Sequence, residues 1–148
     1  MAESTPRLAL PMLAPGQAQK EVTHNEALVL LDALIAATVE AANAVTPPAQ
    51  ALPGQCWALG NAPTGAWAGQ GGALAIATAG GWRFCPVPDN FAVRVAQSGA
   101  LWQRSGSGWT PPAVIGDPAG GAVIDAEARG AITALLNALA GQGLISVN

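Results

Sequence analysis

The sequence predicts an α+β fold: an extended N-terminal arm, a long helix that bundles in a trimer, a small antiparallel Trp-rich β meander and a short C-terminal helix. Three observations carry this. Strong helix formers fill residues 16–46, with aliphatic residues at alternating steps of three and four. Residues 54–110 break into short apolar runs punctuated by Gly, Pro, Asn and Ser, and hold all five tryptophans. Near the C-terminus, Ile132, Leu135, Leu136 and Leu139 form an apolar stripe behind Asp125, a good N-cap residue.

Residues 1–15 read as an arm, because Pro6, Pro11 and Pro15 forbid a helix while Leu8, Leu10, Met12 and Leu13 offer apolar contacts to a partner. Thr23 and Glu26 have capping-box spacing, so the helix is expected to start near Thr23 and to run to about Asn43, before Pro47 and Pro48. Two apolar seams run along it. Leu28, Leu31, Ile35, Thr38 and Ala42 form one; Ala27, Leu30, Leu34, Ala37 and Ala41 form the other. A helix apolar on most sides must be covered on most sides. The first seam is assigned to a three-stranded bundle with neighbouring copies, the second to this chain's own later residues.

After a proline-rich connector, strands are expected at Gln55–Leu59, Leu74–Thr78, Trp82–Pro86, Ala92–Ala96 and Leu101–Arg104, with Trp109 opening a short last piece. Ala79-Gly80-Gly81 and Gln97-Ser98-Gly99 occupy the hairpin turns, where glycine supplies positive φ. Residues 111–123 read as a linker, and residues 124–148 hold the C-terminal helix, ended by Gly141 and Gly143. The irregular tryptophan spacing excludes a solenoid or propeller repeat.

Composition restricts the function classes. At 148 residues the chain suits one domain. Only 10% of residues are charged and 51% are hydrophobic, a charge supply too sparse to cover a large free surface. Self-association or docking into a larger body follows. No apolar run is long enough to span a bilayer. With net charge −3 and scattered basic residues, the chain lacks a nucleic-acid footprint. Its first residues lack the basic and apolar regions of a secretory signal.

No reactive constellation is visible, so no catalytic residue, metal ligand or cofactor is assigned. His24 stands without a partnering cluster, and Cys56 and Cys85 have neither metal nor redox spacing, which favours free buried thiols. Asp89, Asp117 and Asp125 each have a structural reason to exist, as turn, linker and cap. Gly69 to Gly72 lacks the residues of a phosphate loop. Tryptophan without tyrosine is the one feature suited to a ligand, since an exposed indole stacks on sugar rings. Trp67, Trp102 and Trp109 are the candidate glycan contacts, and Trp67, in a glycine-flanked loop, is the least core-like.

The block Gln19-Lys20-Glu21-Val22-Thr23-His24-Asn25-Glu26-Ala27, with Thr5-Pro6-Arg7-Leu8 before it and Pro53-Gly54-Gln55-Cys56-Trp57, Gly81-Trp82-Arg83-Phe84 and Val123-Ile124-Asp125-Ala126-Glu127 after it, resembles an uncharacterised-domain family of prophages and gene transfer agents. The resemblance covers most of the chain. It implies a tail-fibre or tail-tip protein of a phage-like virion, a homotrimer made in the host cytoplasm. Such a protein would dock on a tail hub or baseplate protein through its arm and touch cell-surface polysaccharide. The alternatives are a small glycan-degrading enzyme of the tail and a monomeric carbohydrate-binding module.

Overall fold

The computed structural model describes residues 3–16, 20–121 and 125–147. Its elements are α1 (Lys20–Leu34), β1 (Thr38–Val39), β2 (Cys56–Ala58), β3 (Leu74–Thr78), β4 (Gly81–Cys85), β5 (Ala92–Val95), β6 (Leu101–Ser105), β7 (Gly108–Thr110), β8 (Ala113–Ile115), α2 (Ala126–Gly141) and β9 (Ile145–Val147). The strands form three sheets, ordered β2-β3-β4, β1-β5-β6-β7 and β8-β9. The architecture is mostly β. This overturns the expected long helix with a small β meander: α1 is 15 residues long and lies between an N-terminal hairpin and the sheets.

The central layer is β2-β3-β4, antiparallel throughout. Residues Leu74 to Ala77 are all buried, so β3 is covered on both faces. Since side chains alternate along a strand, Cys56, Ala58, Leu74 and Ile76 share one face. There they meet Ala33, Val39, Val93 and Trp109 in the first core cluster. Trp57, Ala75 and Ala77 share the other face, in a second cluster with Leu59 and Trp67. The fold is therefore layered about one strand.

The tryptophans of the second cluster pack on one another. Ring centroids lie 5.9 Å apart for Trp57 and Trp67, 5.5 Å for Trp57 and Trp82, and 5.1 Å for Trp67 and Trp82, the last two edge to face. Trp67 enters this cluster from a 3-10 turn, Gly65–Trp67, that Gly65 opens with φ +58°. Its indole N–H is buried without a hydrogen-bond partner. That costs about 1–3 kcal/mol, less than the roughly 4–6 kcal/mol that burying an indole's area returns at most. The ring stays inside.

Helix α1 ends nine residues before Asn43, the end expected from the sequence, because residues 37–44 leave the helix to hydrogen-bond with β5 and β2. Val39 is buried, and β1 pairs in parallel with β5, Thr38 opposite Arg94 and Val39 opposite Val95. The Glu40 and Ala44 amides donate to the carbonyls of Cys56 and Ala58, covering the edge of β2. Ala36 makes the reversal with φ +53°, a left-handed conformation that an L-residue adopts at a cost of roughly 1–2 kcal/mol. Thr23 lies inside the helix, so the expected capping box is not used, and Glu26 instead forms an exposed 3.3 Å ion pair with Arg83.

Asn43 closes the joint between the sheets. Its side-chain amide donates to the Trp109 carbonyl at 2.8 Å and its amide oxygen accepts from the Trp109 N–H at 2.9 Å, occupying the outer edge of β7. The Trp109 indole donates to Leu59 O at 3.1 Å, so the two core clusters share one hydrogen-bonded seam. At the C-terminal end, Asp125 caps α2 by accepting from the Ala128 N–H at 2.8 Å. The expected linker holds β8, which pairs in parallel with β9 across α2.

The strained Ala36 gives a stability test. Ala36→Gly is expected to stabilise the chain by about 1 kcal/mol, because glycine removes the Cβ penalty at positive φ. Denaturant unfolding measures it, and an unchanged or lowered midpoint would show that Ala36 carries no strain.

Candidate functional site

The residues expected to form an extended docking arm fold back on α1 instead. Thr5 N–H donates to Leu10 O at 3.0 Å and Met12 N–H to Glu3 O at 2.9 Å, a hairpin with Ser4 opposite Pro11. Two polar residues of α1 hold it. Asp32, 2% exposed, accepts from the Thr5 hydroxyl at 2.8 Å, the Arg7 N–H at 2.9 Å and the Leu8 N–H at 2.7 Å. Asn25 accepts from the Leu13 N–H at 2.9 Å and donates to Leu13 O at 3.0 Å. With Val29 between them, Asn25 and Asp32 form a stripe at steps of four and three. In return, the Arg7 guanidinium donates to Ala33 O and Ala36 O, satisfying carbonyls left over at the helix end.

Beneath this hairpin lies a cavity of about 510 Å³, between α1 and the β3–β4 turn. Pro6, Met12, Val29, Ala33, Pro53 and Ile76 make its walls mainly apolar, and Ala79 and Gly80 form part of its rim. A smaller cleft of about 140 Å³ shares Met12, Val29 and Thr78 with it and continues past Val22. Volumes of this order belong to ligand sites. Of the charged groups at the wall, Asp32 is engaged by three donors and Arg7 by two carbonyls, while Glu3 is exposed. The cavity is built to receive apolar groups.

Of the expected trimer seam, Leu28 and Leu31 lie in α1 and Ile35 in the turn after it. Thr38 is in β1 and Ala42 in the chain beside β2, so the five do not share a helical stripe. Of the arm residues, Leu8 is exposed on the hairpin, while Leu10, Met12 and Leu13 are half-buried. Of the expected glycan contacts, Trp67 and Trp109 are core residues and Trp102 is half-buried. Trp67 was expected to be the least core-like and is wholly buried, because its glycine-flanked loop is a 3-10 turn aimed inward. Sequence reasoning missed Asp32 and Asn25. Asp32 alone left a signal, as the one polar residue in the aliphatic run of residues 27–34.

The reactive groups stay dispersed. Among the described residues no group of three or more His, Cys, Asp or Glu side chains is placed to hold a metal ion. His24 is exposed on α1, Asp117 accepts from the Thr133 hydroxyl at 3.0 Å, and Asp89 is an exposed 3.8 Å ion-pair partner of Arg104. Cys56 and Cys85 are free thiols on the same face of the central sheet. Burial pushes the Cys56 thiol from 9.0 up to about 12, and burial raises Cys85 as well. Both are held as thiols rather than nucleophilic thiolates.

Two outcomes follow. Asp32→Ala leaves the Thr5 hydroxyl and two amides without their acceptor and is expected to cost about 3 kcal/mol. Hydrogen exchange should then report faster exchange at the Arg7 and Leu8 amides than elsewhere, and uniform protection would refute the clamp. For Cys56, the unfolded thiol ionises near 9.0 and the folded one near 12. Stability is fully present below 9.0 and falls as pH rises through that window, by at most about 1.4 kcal/mol per pH unit. Denaturation curves of Cys56→Ala should show a shallower alkaline decline; an equal decline would contradict the buried-thiol account.

Comparison with known proteins adds one family. Neither curated proteins nor solved structures yield a match to the chain. The DUF2793 family, described as a protein of unknown function, matches residues 24–110, from the first turns of α1 to the end of β7. This match covers more than half of the sequence and takes in both core clusters, and the chain therefore belongs to the DUF2793 family of proteins of unknown function.

Proposed function

We propose that this protein is a structural component of the tail of a phage-like or gene-transfer-agent-like particle, a fibre or tail-tip subunit that works as a homotrimer. One observation carries the reading: aliphatic surface is left open on rigid elements of a chain poor in charge. Twelve Leu, Ile and Val residues of the described chain are exposed by 40% or more, while 10% of all residues are charged. A freely diffusing monomer seldom keeps so much apolar surface wet. A subunit that is covered on assembly has reason to.

The threefold contact is assigned to the outer side of α1 and the turn after it, where Leu28, Leu31 and Ile35 follow steps of three and four. Leu31 is 46% and Ile35 51% exposed, although α1 is already packed on its core and hairpin sides. The hub contact is assigned to Leu8 on the folded N-terminal hairpin. Contact with cell-surface polysaccharide is assigned to the half-buried Trp102 alone, since Trp67 and Trp109 are withdrawn into the core. The sequence resemblance supplies the particle, and the exposed aliphatic surface supplies the reason to assemble.

Light scattering on the purified chain tests this reading. The mass is expected to be a multiple of three times 14.7 kDa, and Leu31→Asp is expected to divide it by three with unchanged circular dichroism. A mass that is not such a multiple, or one that survives Leu31→Asp, would remove the threefold contact.

A further inference from the structure

We infer that the cleft between the Gly69–Ala73 turn and Arg104 binds the carboxylate of an acidic sugar. The cleft holds about 200 Å³ and is lined by residues 69–73, Pro86, Val87 and Arg104. Among the described residues that line it, Arg104 alone is charged. Its side chain is 13% exposed, and its orientation is fixed from one end. Nη1 donates to the carbonyls of Gly106 and Gly108 and stands 3.8 Å from Asp89 Oδ1. Nε, by contrast, is buried and has no hydrogen-bond partner among the described residues. Nε–H and the neighbouring Nη2 share the edge of the guanidinium that matches the two oxygens of a carboxylate.

The turn opposite this edge is shaped to admit it. A Cβ on Gly72 would stand 2.6 Å from Arg104 Cζ and 2.9 Å from Nε and would overlap Nη2 as well, so glycine is what leaves room for the guanidinium. In the same turn the N–H groups of Gly69 and Gly71 make no backbone hydrogen bond among the described residues. A cationic fork and two open amides therefore border one small cleft, donors in want of an acceptor. Pro86 and Val87 add an apolar wall against which the C–H face of one sugar ring can lie. Asp89 decides the charge of the ligand. Its carboxylate, 65% exposed, repels a dianion such as phosphate more strongly than a single carboxylate and can itself turn away to water.

The choice of a sugar acid rests on the polysaccharide contact of the proposed function, and the test separates the two. The full chain is titrated with sodium glucuronate, glucose and sodium phosphate at constant ionic strength and followed by ¹⁵N NMR. Glucuronate is expected to shift the Arg104 Nε–H and the Gly69 and Gly71 amides saturably, whereas glucose and phosphate leave them in place. Arg104→Lys keeps the charge but loses the fork and is expected to weaken glucuronate binding about tenfold. Asp89→Asn, on an exposed side chain, removes the facing charge and is expected to tighten it about threefold. An Arg104 that serves only to tie loops together predicts no tightening. Absence of a saturable glucuronate shift, an equal response to phosphate, or an Asp89→Asn chain that binds no tighter would each overturn the site. Shifts by glucose confined to the Trp102 indole would overturn it while leaving the polysaccharide contact standing, and the threefold contact is read by mass alone.

Discussion

The fold depends on burying β3 from both sides. Leu74 and Ile76 face one cluster, Ala75 and Ala77 the other, and the size difference is the organising constraint. Methyl-sized residues on the second face leave the room that Trp57, Trp67 and Trp82 fill, while the larger aliphatics on the first face meet α1 and the β1-β5-β6-β7 sheet. Interiors pack at near-crystalline density, so neither face can exchange its sizes with the other. On the first face α1, β1 and the β5-β6-β7 strands take their places as covers, and on the second the Trp67 turn does.

That constraint explains why the helix stops. Continuing α1 through Val39 would favour the strong helix formers Ala41 and Ala42 by no more than about 0.7 kcal/mol per residue over weaker ones. Burying Val39 in the first cluster is worth about 1.5–3 kcal/mol. The extended chain also adds backbone hydrogen bonds to β2 and β5 and closes an open sheet edge. Against this stands the strain at Ala36, roughly 1–2 kcal/mol. The strand outweighs the helix in this balance, and the aliphatic periodicity of residues 35–45 serves two cover layers rather than one helix.

What the sequence disclosed follows the range of the interactions. Cys56–Ala58, Leu74–Thr78 and Ala92–Val95 lie within the strands expected from alternation and turn residues, Leu101–Ser105 runs one residue past its expected end, and Asp125 caps α2, because these features are decided by neighbours along the chain. The positive φ at Ala36 left no mark, since alanine is an ordinary helix residue and nothing local distinguishes this one. Trp67 was misread because a glycine-flanked tryptophan looks like a loop until the partners Trp57 and Trp82 are brought to it from other strands. The groups that join elements are equally silent: Asn43 brackets Trp109 and Asn25 brackets Leu13, and each side-chain amide stands in for a missing strand. An asparagine in sequence gives no sign of which distant peptide it will complete.

The division of α1 among three neighbours bears on how copies of this chain can meet. One side of the helix is given to the core and a second to the hairpin held by Asn25 and Asp32, leaving a stripe about 22 Å long at 1.5 Å per residue. Burying the exposed halves of its two or three aliphatic side chains contributes about 2–4 kcal/mol, below the 4–15 kcal/mol that association costs in lost freedom. That stripe is therefore too small to hold copies together alone, and a stable assembly needs further contacts from each chain. The open aliphatic residues of α2, β8 and β9 are where such contacts are available. Exposed aliphatic surface spread over several rigid elements, rather than gathered in one patch, is what a small subunit needs to meet more than one neighbour at once.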